Sequence, residues 1–301
     1  MCKKILAAGL VLSMALSTAA CASDSSDETA KPSTTQSGVV QPDATTAAVD
    51  LNDFEPTVLV DNAQMLFRVS DIVNDPVWGY TLKVQIENRS NQDLMFSLNN
   101  VSVNGFMCDP YFAATVTAGM KANKEISFST DSFEEIGITE VTELEFTLQV
   151  FDSNDWSVDA ILDEDFRIFP LGEAAVKEYT RESQPSDIVL FDNESCTMIV
   201  TGFDPDSMWG YSVQVYLVNK TDSDLMFSVG DAAVNGFMCN PYFAKTVAAG
   251  KQCITSISWS DTAFKENGIT QVQSLQLPIR VYDAEDWSGS DLVNESFTLN
   301  L

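Results

Sequence analysis

Histidine is absent from this chain of 301 residues, and basic side chains are scarce: 16 Lys and Arg stand against 44 Asp and Glu, for a formal charge of −28. Without imidazole the usual general base near neutral pH, the His-dependent triads and every imidazole metal ligand are excluded. Neither a G-x-S-x-G elbow nor a phosphate-binding P-loop occurs. A carboxylate pair or a Ser–Lys dyad is the remaining catalytic route, and nothing in the sequence sets such a pair apart from surface acids. The chain is therefore expected not to be an enzyme. The shortage of positive charge also argues against polyanionic partners, because nucleic acid and anionic headgroups are repelled; cations and basic partners are the permitted ligands. No C-x-x-C pair is present, which removes the common zinc and dithiol redox sites. Beyond residue 20 no stretch approaches the roughly 20 apolar residues that a membrane span needs.

The first twenty residues, MCKKILAAGLVLSMALSTAA, place two lysines before an apolar run from Ile5 to Leu16 and end in small residues. This is an export signal, too short for a resident span. Cys21 follows Thr18-Ala19-Ala20, a pattern that resembles a bacterial lipoprotein signal. The resemblance implies a Cys21 that is acylated and becomes the first mature residue, holding the protein on the outer face of the cell membrane. Thr18 replaces the usual Leu, and ordinary cleavage after Ala20-Cys21-Ala22, giving a secreted protein, is the alternative. Loss of Lys3 and Lys4 takes the charge to about −30. Residues 21–56 are mostly Ser, Thr, Asp, Ala and Pro, a composition that cannot offset the entropy of ordering, and they read as a tether.

The rest is a duplication. Shifting the chain by 131 residues aligns 61–170 with 192–301 without a gap, with roughly 45 of about 110 positions identical. Each copy has the length of one domain. The expected organisation is a signal at 1–20, the tether, a first domain at 57–170, a linker at 171–187 with a helical turn or two near Ala174–Arg181, and a second domain at 188–301. Within each copy apolar residues alternate, as in Leu82, Val84 and Ile86 or Leu144, Phe146, Leu148 and Val150, which marks half-buried strands. Ser132, Glu135 and Gly137 carry the signature of one short capped helix. About seven short strands and one helix per copy predict an all-β chain of two tandem immunoglobulin-like β-sandwiches. The strings VNGFMCDPYFA at 103–113 and VNGFMCNPYFA at 234–244, with the later V-x-A-G, F-x-E-x-G-I-T and D-x-x-D-W elements, resemble uncharacterised tandem modules of secreted Gram-positive lipoproteins. That resemblance implies immunoglobulin-like sandwiches on an anchored lipoprotein and no activity. It also implies that Cys108 and Cys239, at a position apolar in that family, are buried thiols.

Two readings of the repeated string stay open. Asn104-Gly105 suits a type I′ hairpin and Asp109-Pro110 a second turn, so a shared hairpin accounts for the string. Alternatively Phe106, Met107, Tyr111 and Phe112, with Phe237, Met238, Tyr242 and Phe243, form a duplicated apolar binding patch joined by Trp78 and Trp209, which would recognise an envelope protein or glycan. The competing assignment is a passive spacer whose aromatics are core. Asp152 and Asp155, repeated as Asp283 and Asp286, are candidate calcium ligands, with solvated turn aspartates as the alternative. Cys196 and Cys253, both at predicted strand starts, form a candidate disulfide, the alternative being buried free thiols.

Overall fold

Strands form wherever the alternating pattern can bury one face. The computed structural model describes residues 54–301, apart from residues 156, 178 and 180 and the side chains of residues 131, 132 and 135; the signal, Cys21 and the tether up to residue 53 lie outside the described residues. The first repeat contains β1 (Thr57–Asp61), β2 (Met65–Asp75), β3 (Gly79–Asn88), β4 (Leu94–Val103), β5 (Phe106–Met107), β6 (Ala113–Val116), β7 (Lys121–Phe128), α1 (Thr130–Ile136), β8 (Leu144–Asp152) and β9 (Leu162–Ile168). The second contains β10 (Ile188–Asp192), β11 (Cys196–Ser207), β12 (Gly210–Asn219), β13 (Leu225–Val229), β14 (Ala233–Val234), β15 (Phe237–Met238), β16 (Ala244–Val247), β17 (Gln252–Trp259), α2 (Asp261–Glu266), β18 (Ser274–Asp283) and β19 (Val293–Asn300). The protein is all-β, with two short helices and a 3-10 turn at Glu173–Ala175 among the described residues. Two-residue strands at the hairpins raise the number of strands above the seven expected per repeat.

Three sheets result. Strands β1-β2-β3-β7 form one, and β15-β14-β18-β13-β16, with β19 on β18, form another. Between them runs a nine-stranded sheet in the order β10-β11-β12-β17-β5-β4-β8-β9, with β6 on β4. Each repeat has its own core. Phe67, Leu82 and Ile126 from the four-stranded sheet meet Phe96, Leu144 and Leu148 from the nine-stranded one. In the second repeat Val213, Leu217 and Trp259 meet Phe227, Leu277 and Ile279 in the same way. Each such side chain contributes about 1.5–3 kcal/mol on full burial. Residues 131 apart also make matching bonds: Asn88 Nδ2 donates to the carbonyl of Val116, and Asn219 Nδ2 to that of Val247.

Several expectations change. The N-cap of α1 is Ser129 and not Ser132, which falls inside the helix, while Gly137 closes it in the left-handed region at φ 73°. Among the described residues of the connecting segment, helical structure is one 3-10 turn. That segment is also packed down: the Tyr179 ring meets Phe106 edge-on at 4.8 Å, and Arg181 makes paired bonds of 2.7 and 2.8 Å to Asp187. Cys196 and Cys253 are buried but carry free thiols. The reason lies in the register. Cys196 pairs with Asn219 and Cys253 with Leu217, so β12 lies between them. Two inter-strand spacings amount to about 9.5 Å, beyond the roughly 7 Å that a disulfide spans.

Candidate functional site

Two tight turns leave a tryptophan exposed at matching places. At the end of β2, Asp75 Oδ1 accepts from the amides of Val77 and Trp78 at 2.8 and 2.9 Å. Those two amide bonds hold its carboxyl below the usual carboxylate range. The chain then turns through Gly79 at φ +79°, where an added Cβ would stand 2.3 Å from the carbonyl oxygen of Phe128. In the second repeat Ser207 Oγ accepts from the amide of Trp209 at 3.3 Å, and Gly210, at φ +90°, lies as close to the carbonyl of Trp259. The glycines let the backbone press onto β7 and β17, so each indole points away from the core.

The tyrosines come to the same edge. The amide of Tyr111 donates to Ser127 O at 3.0 Å, and that of Tyr242 to Ser258 O at 2.7 Å, in isolated bridges. Their rings stay in solvent beside the tryptophan turns. In the second repeat Trp209 and Tyr242, each 74% exposed, line a cavity of about 580 Å³ together with Met208, Gly210, Ser260 and Asp261. Two amphipathic rings, a thioether, a hydroxyl and a carboxylate make a surface that takes apolar or ring-shaped ligand groups and orients them by a few polar contacts.

The ten residues expected to form the duplicated patch therefore divide. Trp78, Tyr111, Trp209 and Tyr242 are exposed at the turn edge. Phe237 and Met238 are also exposed, but on the β14–β15 hairpin, and neither lines the Trp209 cavity. Phe106 is fully buried, and Met107 is half-buried with its sulfur accepting from the amide of Ala248 at 3.2 Å. Phe106 is covered because its ring meets Tyr179 and Tyr216, so it belongs to the joint between repeats and not to a free surface. Phe112 packs edge-on against Phe67 at 6.2 Å, and Phe243 packs against the second core.

Turn chemistry occupies the candidate metal ligands. Asp152 Oδ1 accepts from the amide of Asn154, Asp155 Oδ1 from the amide and hydroxyl of Ser157, Asp283 Oδ1 from the amide of Glu285 and Asp286 Oδ1 from the hydroxyl of Ser288. Among the described residues no group of three or more His, Cys, Asp or Glu is placed to hold a metal ion. These aspartates cap turns, as in the alternative to calcium ligation. Nor is any described helix long and apolar enough to cross a membrane.

Sequence reasoning missed the second task of the Asn-Gly turns. Asn104, at φ 50°, accepts through Oδ1 from the amides of Thr142 and Glu143 and donates through Nδ2 to Glu140 O. Asn235 binds Gln271, Gln273 and Ser274 in the same pattern. Each Asn thus shapes a hairpin and clamps the segment entering the next long strand.

No family model matches the chain, and no curated protein matches it. Among solved structures it is similar to the crystal structure of the YadV chaperone, at 12% identity and TM-score 0.19, over 73% of this chain and 92% of that one. It is also similar to a β-D-mannosidase from Dictyoglomus thermophilum, at 9% identity and TM-score 0.19, over 77% of this chain and 22% of that one. At such scores neither likeness bears on fold or activity.

Proposed function

We propose that this is a non-catalytic cell-surface protein, anchored through lipid on Cys21 to the outer face of the membrane, whose two immunoglobulin-like modules arose by duplication and recognise a protein or glycan of the envelope. The observation that carries this reading is the cavity bounded by Trp209 and Tyr242, two large rings left in solvent although both cores are filled. Large aromatics held rigidly at an edge are effective recognition groups, because little side-chain entropy is lost on binding. The matching exposure of Trp78 and Tyr111 supports two sites acting with avidity. Secretion without lipid is the alternative address.

A second reading, a spacer of fixed geometry, is favoured by the buried joint at Phe106. Retention of the purified chain on washed envelope material separates the two. Recognition predicts that Trp209→Ala with Tyr242→Ala lowers retention at least tenfold without loss of fold. Equal retention of the variant and the parent supports the spacer and refutes recognition through this cavity. Fatty-acid labelling that disappears in Cys21→Ala tests the anchor.

A further inference from the structure

The same hairpin occurs twice, and only one copy is covered. In the first repeat β4–β5 docks on the second repeat: Gln252 pairs with Phe106 in a parallel bridge, the Gln252 amide donates to Gly105 O at 3.1 Å, and Phe106 is sealed by Tyr179 and Tyr216. Lys251 Nζ meets Glu145 at 2.5 Å at the margin. In the second repeat the hairpin has the same register, Val234 opposite Phe237 as Val103 is opposite Phe106. Phe237 is nevertheless 52% exposed and Met238 more so.

The receiving face is also specific. Ile199, Tyr216 and Ile254 are cross-strand neighbours on β11, β12 and β17; Tyr216 is buried in the core of the first repeat, and the half-buried Ile199 and Ile254 extend its apolar row along the face. Their counterparts 131 residues earlier are Arg68, Gln85 and Asn123, neighbours on β2, β3 and β7 in the same register. On this face one repeat thus carries an apolar row with Tyr216 against the hairpin, and the other carries a polar row. A second copy of this chain offers the free hairpin no matching face, since Tyr216 at the centre of that row is already buried under its own first repeat.

We infer that the Phe237–Met238 hairpin is a docking element for another protein, one that presents a β-sheet face with an apolar cross-strand row of the Ile–Tyr–Ile kind and an edge backbone N–H able to reach Gly236 O. The covered hairpin of the first repeat is the template for this contact, with aromatic burial at its centre and one backbone bond setting the register. The hairpin and the Trp209 cavity are separate surfaces, so failure of either leaves the other standing.

The test exposes the natural receiving face. Phe106→Ser with Met107→Ser in the full chain disables the internal hairpin and leaves Ile199, Tyr216 and Ile254 open to the Phe237 hairpin of a neighbouring copy. Sedimentation velocity from about 1 to 100 µM is expected to show the weight-average mass rising from one chain toward two, while the parent chain does not change. Adding Phe237→Ser and Met238→Ser is expected to abolish the rise. A folded variant that stays a single chain, or association that survives loss of Phe237 and Met238, overturns the inference. Should the Phe106 variant fail to fold, Arg68→Ile, Gln85→Tyr and Asn123→Ile build the row on the first repeat instead, and the same two outcomes are read.

Discussion

Replacing Phe106 and Phe237 by alanine in turn measures the joint against an internal control. Both phenylalanines stand at the same place in the same hairpin, and one is fully buried where the other is 52% exposed. On a side chain of about 200 Å² that difference is roughly 100 Å² of apolar surface, or about 2.5 kcal/mol at about 25 cal/mol per Å². The edge-on contact with Tyr179 adds about 0.5–1.5 kcal/mol. Phe106→Ala is therefore expected to cost about 3 kcal/mol more than Phe237→Ala. For about 250 ordered residues this is a Tm difference of roughly 6–12 °C. Urea unfolding followed by tryptophan fluorescence, with calorimetry for Tm, supplies both numbers. Equal destabilisation within about 1 kcal/mol would mean that the two repeats do not hold this joint in solution, and the reasoning fails.

Other consequences are equally direct. Asn219 is buried and bridges the carbonyls of Ser223 and Val247 while accepting from Thr221; Asn219→Ala removes these buried bonds together and is expected to cost about 2–4 kcal/mol in chemical denaturation. Burial pushes the Cys196 and Cys253 thiols up to about 11 and about 12, so thiol reagents at pH 8 are expected to modify them only after unfolding, and rapid labelling of the native chain contradicts their placement. Burial pushes the Glu145 carboxyl up, but Lys251 and Arg167 outweigh it and hold it below its ordinary 4.5. A group depressed in the folded state stabilises above its unfolded value and loses that contribution as pH falls through the folded one. The Tm gap between the parent and Lys251→Met is accordingly expected to be full at pH 6 and to close below about pH 4.5; a gap that does not change with acid contradicts the pair.

Strand positions were legible because period-two burial is written directly in segments such as Leu144 to Val150, and the Asn-Gly turns because both residues adopt positive φ. The joint was not. Its hairpin is nearly identical in the two repeats, so the repeated string carries no sign of which copy is covered. The sign lay in the differences: Arg68 against Ile199, Gln85 against Tyr216 and Asn123 against Ile254, outward positions where one repeat is polar and the other apolar. The disulfide failed for a related reason. Two cysteines at strand starts look like neighbours in sequence patterning, and only the strand order shows that β12 separates them. Ser132 looked like a helix cap because Glu135 follows it, although Ser129 begins the helix.

The Asn-Gly turns also govern how the protein ages. Asparagine followed by glycine is the sequence most prone to deamidation, because the small residue lets its amide nitrogen attack the asparagine carboxamide. Here that carboxamide is held on both sides, with Oδ1 of Asn104 bonded to Thr142 and Glu143 and its Nδ2 to Glu140 O. Folding therefore protects a site that an unfolded chain exposes, and conversion to aspartate would set a carboxylate against the Glu140 carbonyl it once bonded. Peptide mass mapping after prolonged incubation is expected to find deamidation at Asn104 and Asn235 in urea and not in native buffer. Each hairpin is a chemical clock that runs only while its clamp is open.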